Sequence, residues 1–181
     1  MAVRKIIRMG HPTLRKPARR LEARELKSPE IGRLVNDMID TLNDAGGIGL
    51  AAPQIDEPVR LAIIEIDGGQ SRYGEIPAMP LTVFVNPTIE VVDPKAAGYW
   101  EGCLSVPGLR GWVERPQFVR VSYQDLNGKK HARELKGFLA TVFQHEFDHL
   151  DGTLYVDRIM DSRLLAFDQE FERYLAPQDA A

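Results

Sequence analysis

Residues 144–152 read QHEFDHLDG and contain His145-Glu146-x-x-His149. In a helix, residues four apart lie on one face, one turn along the axis. The spacing therefore predicts a helix whose two imidazoles aim at one point, with Glu146 beside them as an adjacent base. Such a trio suits a catalytic metal site, which takes three protein ligands and leaves a fourth position for water or substrate. The third ligand must come from elsewhere in the chain, and its identity decides the chemistry. An ordinary helix with two exposed histidines is the bland alternative. Against it, two of the chain's four histidines fall here. His11 and His131 have no metal-ligand spacing to each other or to the pair, and they read as surface residues.

Apolar periodicity sets this helix in an α+β chain. A first helix is predicted from Ser28-Pro29, a good N-cap and first helical position. Ile31, Leu34, Val35, Met38, Ile39 and Leu42 form its apolar stripe, and Asn43 to Gly47 stops it. GIGLAAPQ (47–54) is neither an obvious helix nor a strand. Residues 59–67, 81–89 and 118–125 are β-rich. Asn127-Gly128 signals a hairpin with residues 129–135 as partner strand. Gly137 opens the metal helix, along which Phe138, Val142, His145 and His149 share a stripe, and Leu150-Asp151-Gly152 ends it. A last helix is predicted over 162–175. Mostly antiparallel strands around a central HExxH helix, with an N-terminal and a C-terminal helix, make the expected fold. With 181 residues and no repeat or linker, one domain spanning 1–181 is expected.

Hydrophobic residues are 44% and charged residues 27%, enough apolar material for a core. Disorder is expected only at Pro177 to Ala181. Net charge is −3, with no long run of like charge, so specific nucleic-acid binding is not expected. A single cysteine rules out an intrachain disulfide and fits a reducing compartment. MAVRKIIRMGHP has no long apolar run, so neither a secretory signal nor a membrane span is expected. Cytoplasm is the default compartment; a mature organellar form would read the same.

Three sources exist for the third ligand. A third histidine six residues after His149 would mark one protease class, but that position holds Tyr155. Glu170 and Glu172 on the last helix would complete a second protease class. Cys103, in WEGCLSVPG, is the third candidate. A lone cysteine is most often a small buried hydrophobe, but this one sits on a tight, extended segment whose backbone N–H groups can face a ligand.

GIGLAAPQ (47–54), EGCLS (101–105) and QHEFDHL (144–150), in this order, resemble the peptide deformylases. Those enzymes remove the formyl group from the initiating methionine of new bacterial chains. The resemblance runs from the helix before Gly47 to about Asp157 and extends to PGLRG at 107–111. It implies Cys103 as the third ligand beside His145 and His149. It also implies a metal-bound hydroxide that attacks the formyl carbon, with Glu146 carrying the proton to the leaving amine. The side-chain amide of Gln54 and the backbone N–H of Leu104 would hold the oxyanion.

One divalent ion per chain follows from the same resemblance: Fe2+ by the family's habit, with Zn2+, Ni2+ or Co2+ also suited to thiolate and imidazole. The substrates would be N-formylmethionyl nascent peptides, paired in extended form with Ile48 and Gly49. The methionine pocket maps onto Ile48, Tyr99, Glu101, Phe138 and Val142, with Arg110 nearby. For Phe138 and Val142, plain core packing is an equally good reading. Some bacterial members dock their C-terminal helix on the ribosome. The tail here, DSRLLAFDQEFERYLAPQDAA, is mixed in charge, so a transient ribosome contact is a hypothesis. Two other readings stand beside this one. One is a zinc peptidase using Glu170 or Glu172. The other is a non-catalytic, metal-stabilised scaffold or ribosome-associated module.

Overall fold

Ser28 starts the first helix, α1 (Pro29–Ala45), by accepting a hydrogen bond from the backbone N–H of Ile31. Gly46 ends it at φ 66°, a left-handed conformation that costs glycine little. The chain continues through β1 (Gly49–Ala51), a 3-10 turn (Ala52–Ile55) and β2 (Leu61–Ile66). Next come a small hairpin, β3 (Gly69–Ser71) and β4 (Gly74–Ile76), and the long strands β5 (Met79–Cys103) and β6 (Val106–Gln124). β7 (Lys130–Lys136), α2 (Phe138–Asp148), β8 (Leu165–Phe167) and α3 (Asp168–Glu170) complete the order. The computed structural model describes residues 2–71 and 74–176; Pro177 to Ala181, where disorder was expected, lie outside them.

The main sheet runs β1-β2-β5-β6-β7, with β8 added to β6, and every pairing is antiparallel. β2 reads LAIIEI and is covered on both faces, which is why it lacks polar alternation. Leu61 and Ile63 pack with Leu34, Val35 and Met38 of α1. Ala62 and Ile64 face the opposite way, into a core with Phe84, Phe143 and Phe147. The Phe84 ring meets Tyr123, Phe143 and Phe147 at centroid distances of 4.6, 5.1 and 5.7 Å. Burying each such side chain contributes about 1.5–3 kcal/mol. Phe143 and Phe147 thus pin one face of α2 to the sheet. His145 and His149, two residues further on, are turned about 200° away from that face.

Three sequence expectations needed correction. The strands read at 81–89 and 118–125 are ends of a much longer ribbon. β5 and β6 stay paired from Val85↔Gln124 to Cys103↔Val106, through several register shifts. Residues 90–116 hid this because Pro94 and a run of exposed positions break the alternation, and the pairing itself comes from the distant partner strand. Residues 162–167 are not α-helical: Ser162–Leu164 form a single 3-10 turn and Leu165–Phe167 the strand β8. The backbone of Leu109–Gly111 offers an edge there, and pairing satisfies more groups than a solvated helix start would. Helical turns begin only at Asp168 and pass into a π-helical turn, Phe171–Leu175. Lastly, His11 and His131 are half-buried and partnered, His11 capping a 3-10 turn and His131 bonding Asp125 at 2.9 Å.

Candidate metal site

α2 opens at Gly137 and carries His145 and Glu146 in its last turns; His149 begins the 3-10 turn that follows, closed by Gly152 at φ 75°. Cys103 ends β5, where the ribbon turns through Leu104 and Ser105 into β6. β5 and β6 pack against α2, and the end of this ribbon brings Cys103 to the two histidines. Cys103, His145 and His149 each offer a donor atom, and these atoms all lie within 4.8 Å of one another. The Cys103 Sγ to His149 Nε2 distance is 3.3 Å. No other cluster of this kind occurs among the described residues. Glu170 and Glu172 are exposed on the C-terminal turns and take no part in it.

A ligating imidazole usually has its second nitrogen held; the Nδ1 of His149 is buried without a partner, whereas that of His145 is held. For His145, Nδ1 donates to Glu101 Oε2 at 2.8 Å, which leaves Nε2 for the centre. Glu101 is itself held by Arg115, whose Nε and Nη2 donate to its two oxygens at 2.6 and 3.0 Å. Arg115 also donates to Asp148 at 2.8 Å, and Arg158 closes the network on Asp148 from outside. Arg115 is 2% exposed. Breaking a buried pair of this type costs about 3–5 kcal/mol, because the remaining charge is left unpaired. The network therefore fixes the ring plane of His145.

Burial pushes the Cys103 thiol up, but His149 and His145 outweigh it and hold the thiol well below its ordinary value. The thiolate is the form that binds metal. Burial likewise lowers His145, while Cys103 and Glu101 together hold it well above the usual imidazole value. Glu146 is raised, first by burial and also by Cys103 and Glu101, against the opposing pull of the two histidines. Its Oε2 is buried without a hydrogen-bond partner. Gln54 is 2% exposed, and its Oε1 accepts from the Ala51 N–H at 2.8 Å. That bond sets the amide orientation and turns Nε2 toward Ser105 Oγ (3.3 Å) and Cys103 Sγ (3.6 Å). A thiolate and two converging imidazoles, with a partnerless buried carboxylate oxygen alongside, fit a divalent cation.

A cleft of about 630 Å³ opens above this centre. Gln54, Cys103, Leu104, His145 and Glu146 line its inner end. Ile48 and Gly49 form one wall; Tyr99, Phe138 and Val142 contribute apolar surface, with Tyr99 and Phe138 packed edge to face at 5.6 Å. Arg110 lies at the rim. Glu101 also borders the cleft, but both its oxygens are engaged by Arg115 and His145. His149 is buried beneath and does not line the cleft. Reading the sequence missed Arg115, Asp148, Ser105 and Asp168. Asp148 stands inside HEFDH and was within reach of notice; Arg115 is placed by strand register, which no local pattern reports.

A site built this way can activate a water and has a base poised to take its proton, so the fold and centre define a metal-dependent hydrolase. The chain matches the family model described as polypeptide deformylase over residues 3–164. It is 40% identical to the peptide deformylase of Leptospira biflexa over 172 residues, covering 95% of this chain and 96% of that one. It is 45% identical to peptide deformylase 1 of Bordetella pertussis over 156 residues, covering 86% and 87%. Among solved structures, the Thermotoga maritima peptide deformylase superposes with a TM-score of 0.78 at 34% identity, covering 89% of this chain and 100% of that one. A class I type b peptide deformylase from Acinetobacter baumannii, solved with Met-Ala-Ser bound, gives 0.79 at 35% identity, covering 87% and 100%. The chain belongs to the peptide deformylase family. It is a metallo-hydrolase of the kind that removes the N-formyl group from nascent peptides.

Proposed function

We propose that the chain deformylates N-formylmethionyl peptides with Cys103, His145 and His149 as metal ligands, Glu146 as proton carrier, and Gln54 and the Leu104 N–H as oxyanion donors. The observation that carries this is the convergence of one cysteine sulfur and two imidazoles beside a buried carboxyl group at the floor of a cleft. When bound, the ion supplies a polarised water whose pKa falls toward neutrality. Glu146, with its pKa raised, takes a proton at Oε2 and delivers it to the leaving amine nitrogen. Gln54 Nε2 already faces Cys103, so it donates to the oxyanion without reorganising. Leu104 lies in the turn between Cys103 and Ser105 at the inner end of the cleft, a position from which its N–H serves the same oxygen.

β1 is an edge strand that pairs only with β2 among the described strands, so its other edge can take an extended peptide. Met-Ala-Ser bound to the Acinetobacter baumannii relative supports a peptide in this cleft. Tyr99, Phe138 and Val142 would accept the methionine side chain, and Arg110 a group further along. Glu101 would act by holding His145. Ferrous iron is the ion we assign, with Zn2+, Ni2+ or Co2+ as substitutes the same donors accept. Cytoplasm is the compartment we assign, supported by the single cysteine; among the described residues no helix is long and apolar enough to cross a membrane. A transient ribosome contact belongs to the proposal too: Met160, Phe167 and Tyr174 expose apolar surface on the C-terminal segment. The core clusters on the two faces of β2 share that strand, which supports one cooperative domain.

The test is formate release from formyl-Met-Ala-Ser by protein purified without oxygen and loaded with iron, with acetyl-Met-Ala-Ser alongside. Release from the formyl peptide alone is expected. No release at stoichiometric metal would favour the scaffold reading instead.

Gly49 gives a sharper expectation. A Cβ added there would meet Glu146 Cδ at 2.5 Å and Oε1 at 2.6 Å. The carboxylate ends a flexible side chain, so it would swing aside at little cost to stability. Displacing the proton carrier by about 1 Å can cost about a hundredfold in rate. Gly49→Ala should therefore lower kcat/KM by about ten- to a hundredfold with a nearly parental melting temperature. Steady-state kinetics beside a thermal melt checks both, and a large melting shift with intact kcat/KM would contradict it.

A further inference from the structure

The match to the family model ends at residue 164, yet the next segment is built into the rim of the cleft. β8 pairs Ala166 with Arg110 and Leu165 with Gly111. This brings Asp168 to the cleft, where its Oδ1 accepts from Arg110 Nε at 2.9 Å. The Arg110 guanidinium is then confined on two further sides. Phe171, 1% exposed and packed at a tilt against Trp100, lies under it with the Arg110 Cζ 5.9 Å from the ring centroid. Gly102 lies against it so closely that a Cβ there would stand 3.2 Å from Cζ and Nη1. A long, rotamer-rich side chain is thus restrained by groups from the C-terminal segment and from the residue preceding Cys103.

We propose that Asp168 is a positioning residue for the outer half of the substrate, fixing Arg110 so that its Nη donors face the peptide beyond the methionine. This rests on the deformylase reading above. The argument is one of place and of donor accounting. Exposure rises along the cleft, from 6% for Glu146 to 36% and 40% for the Arg110 and Asp168 side chains. The outer end must therefore meet residues far from the formyl group, since an extended chain advances about 3.3 Å per residue. Asp168 uses Nε and leaves the two Nη groups to donate to carbonyl oxygens or a terminal carboxylate. Preordering the guanidinium removes an entropy cost that binding would otherwise meet. Asp168 touches no reacting atom, so its effect falls on peptide length and on KM.

Asp168→Asn keeps the shape and removes the charge; Arg110→Gln and the double variant complete a cycle. Each is assayed with formyl-Met-Ala and formyl-Met-Ala-Ser. Calorimetry with the products Met-Ala and Met-Ala-Ser adds a reading that needs no turnover. In Asp168→Asn, the KM of the tripeptide is expected to rise about three- to fivefold more than that of the dipeptide. The Kd for Met-Ala-Ser should shift in parallel, with kcat changing less than KM. Asp168→Glu should recover most of the loss. The double variant should be no worse than Arg110→Gln alone, because Asp168 acts through Arg110. Equal effects on both lengths, a loss confined to kcat, or full additivity in the double variant would overturn the proposal. A parent protein that binds Met-Ala-Ser but deformylates neither peptide would instead sink the functional reading, and this inference with it.

Discussion

Glu146→Gln is expected to lower kcat for formyl-peptide hydrolysis by about 10²- to 10⁴-fold, the range general acid–base groups supply. Metal content should stay near one ion per chain, because the proposed ligands are Cys103, His145 and His149 and do not include Glu146. Glutamine keeps the size and one donor-acceptor end but cannot carry a proton. Stability gives an independent sign. Burial raises the Glu146 pKa in the folded protein, despite the two histidines. An acid with a raised folded pKa favours the folded state at low pH and costs stability as pH rises through that value. A neutral amide escapes this cost, so the variant should melt no lower than the parent at neutral pH and should lose less stability between acid and neutral pH. Formate release, metal analysis and melts at two pH values test all three. A variant with parental kcat would remove Glu146 from the chemistry. One that lost its metal would show that the carboxylate holds the centre together.

The sequence made local features legible and left tertiary ones unread. α1 could be bounded because Ser28-Pro29 and Gly46 are cap signals that act within a few residues. The spacing of His145 and His149 announced the centre for the same reason, since one helix positions both. Cys103 could be chosen over Glu170 and Glu172 only through family resemblance; its approach depends on β5 and β6 staying paired to Cys103↔Val106. Arg115 was invisible for a related cause. It lies opposite Ala97 in that ribbon, and its burial follows from strand register with no apolar pattern to mark it. The tail misled in another way. FDQEFERY has helical amphipathicity, but the preceding residues respond to the open edge of β6, so a strand replaces the helix start.

Cys103→Ser should cost the protein its metal. Burial pushes the Cys103 thiol up, but His149 and His145 outweigh it and hold it well below its ordinary value, which favours the thiolate form. A serine hydroxyl does not ionise at neutral pH and is a poor ligand for a soft-to-borderline cation. Replacing even an outer hydrogen-bond partner of a ligand typically costs about 10- to 100-fold in metal affinity. Losing one of three ligands should therefore cost more than about a hundredfold, and bound metal after dialysis should fall far below one ion per chain. The backbone should tolerate the change: serine is nearly isosteric, and Ser105 N–H and Gln54 Nε2, which now face Cys103 Sγ at 3.4 and 3.6 Å, can donate to its oxygen. Metal binding stabilises the folded state by mass action. The parent should thus melt higher loaded than chelated, and this gap should close in the variant. That result separates the readings: a peptidase centre completed by Glu170 or Glu172 would keep its ion and its gap. Stoichiometric metal in Cys103→Ser, with deformylation intact, would mean that the third ligand lies elsewhere and that the thiolate is only a neighbour.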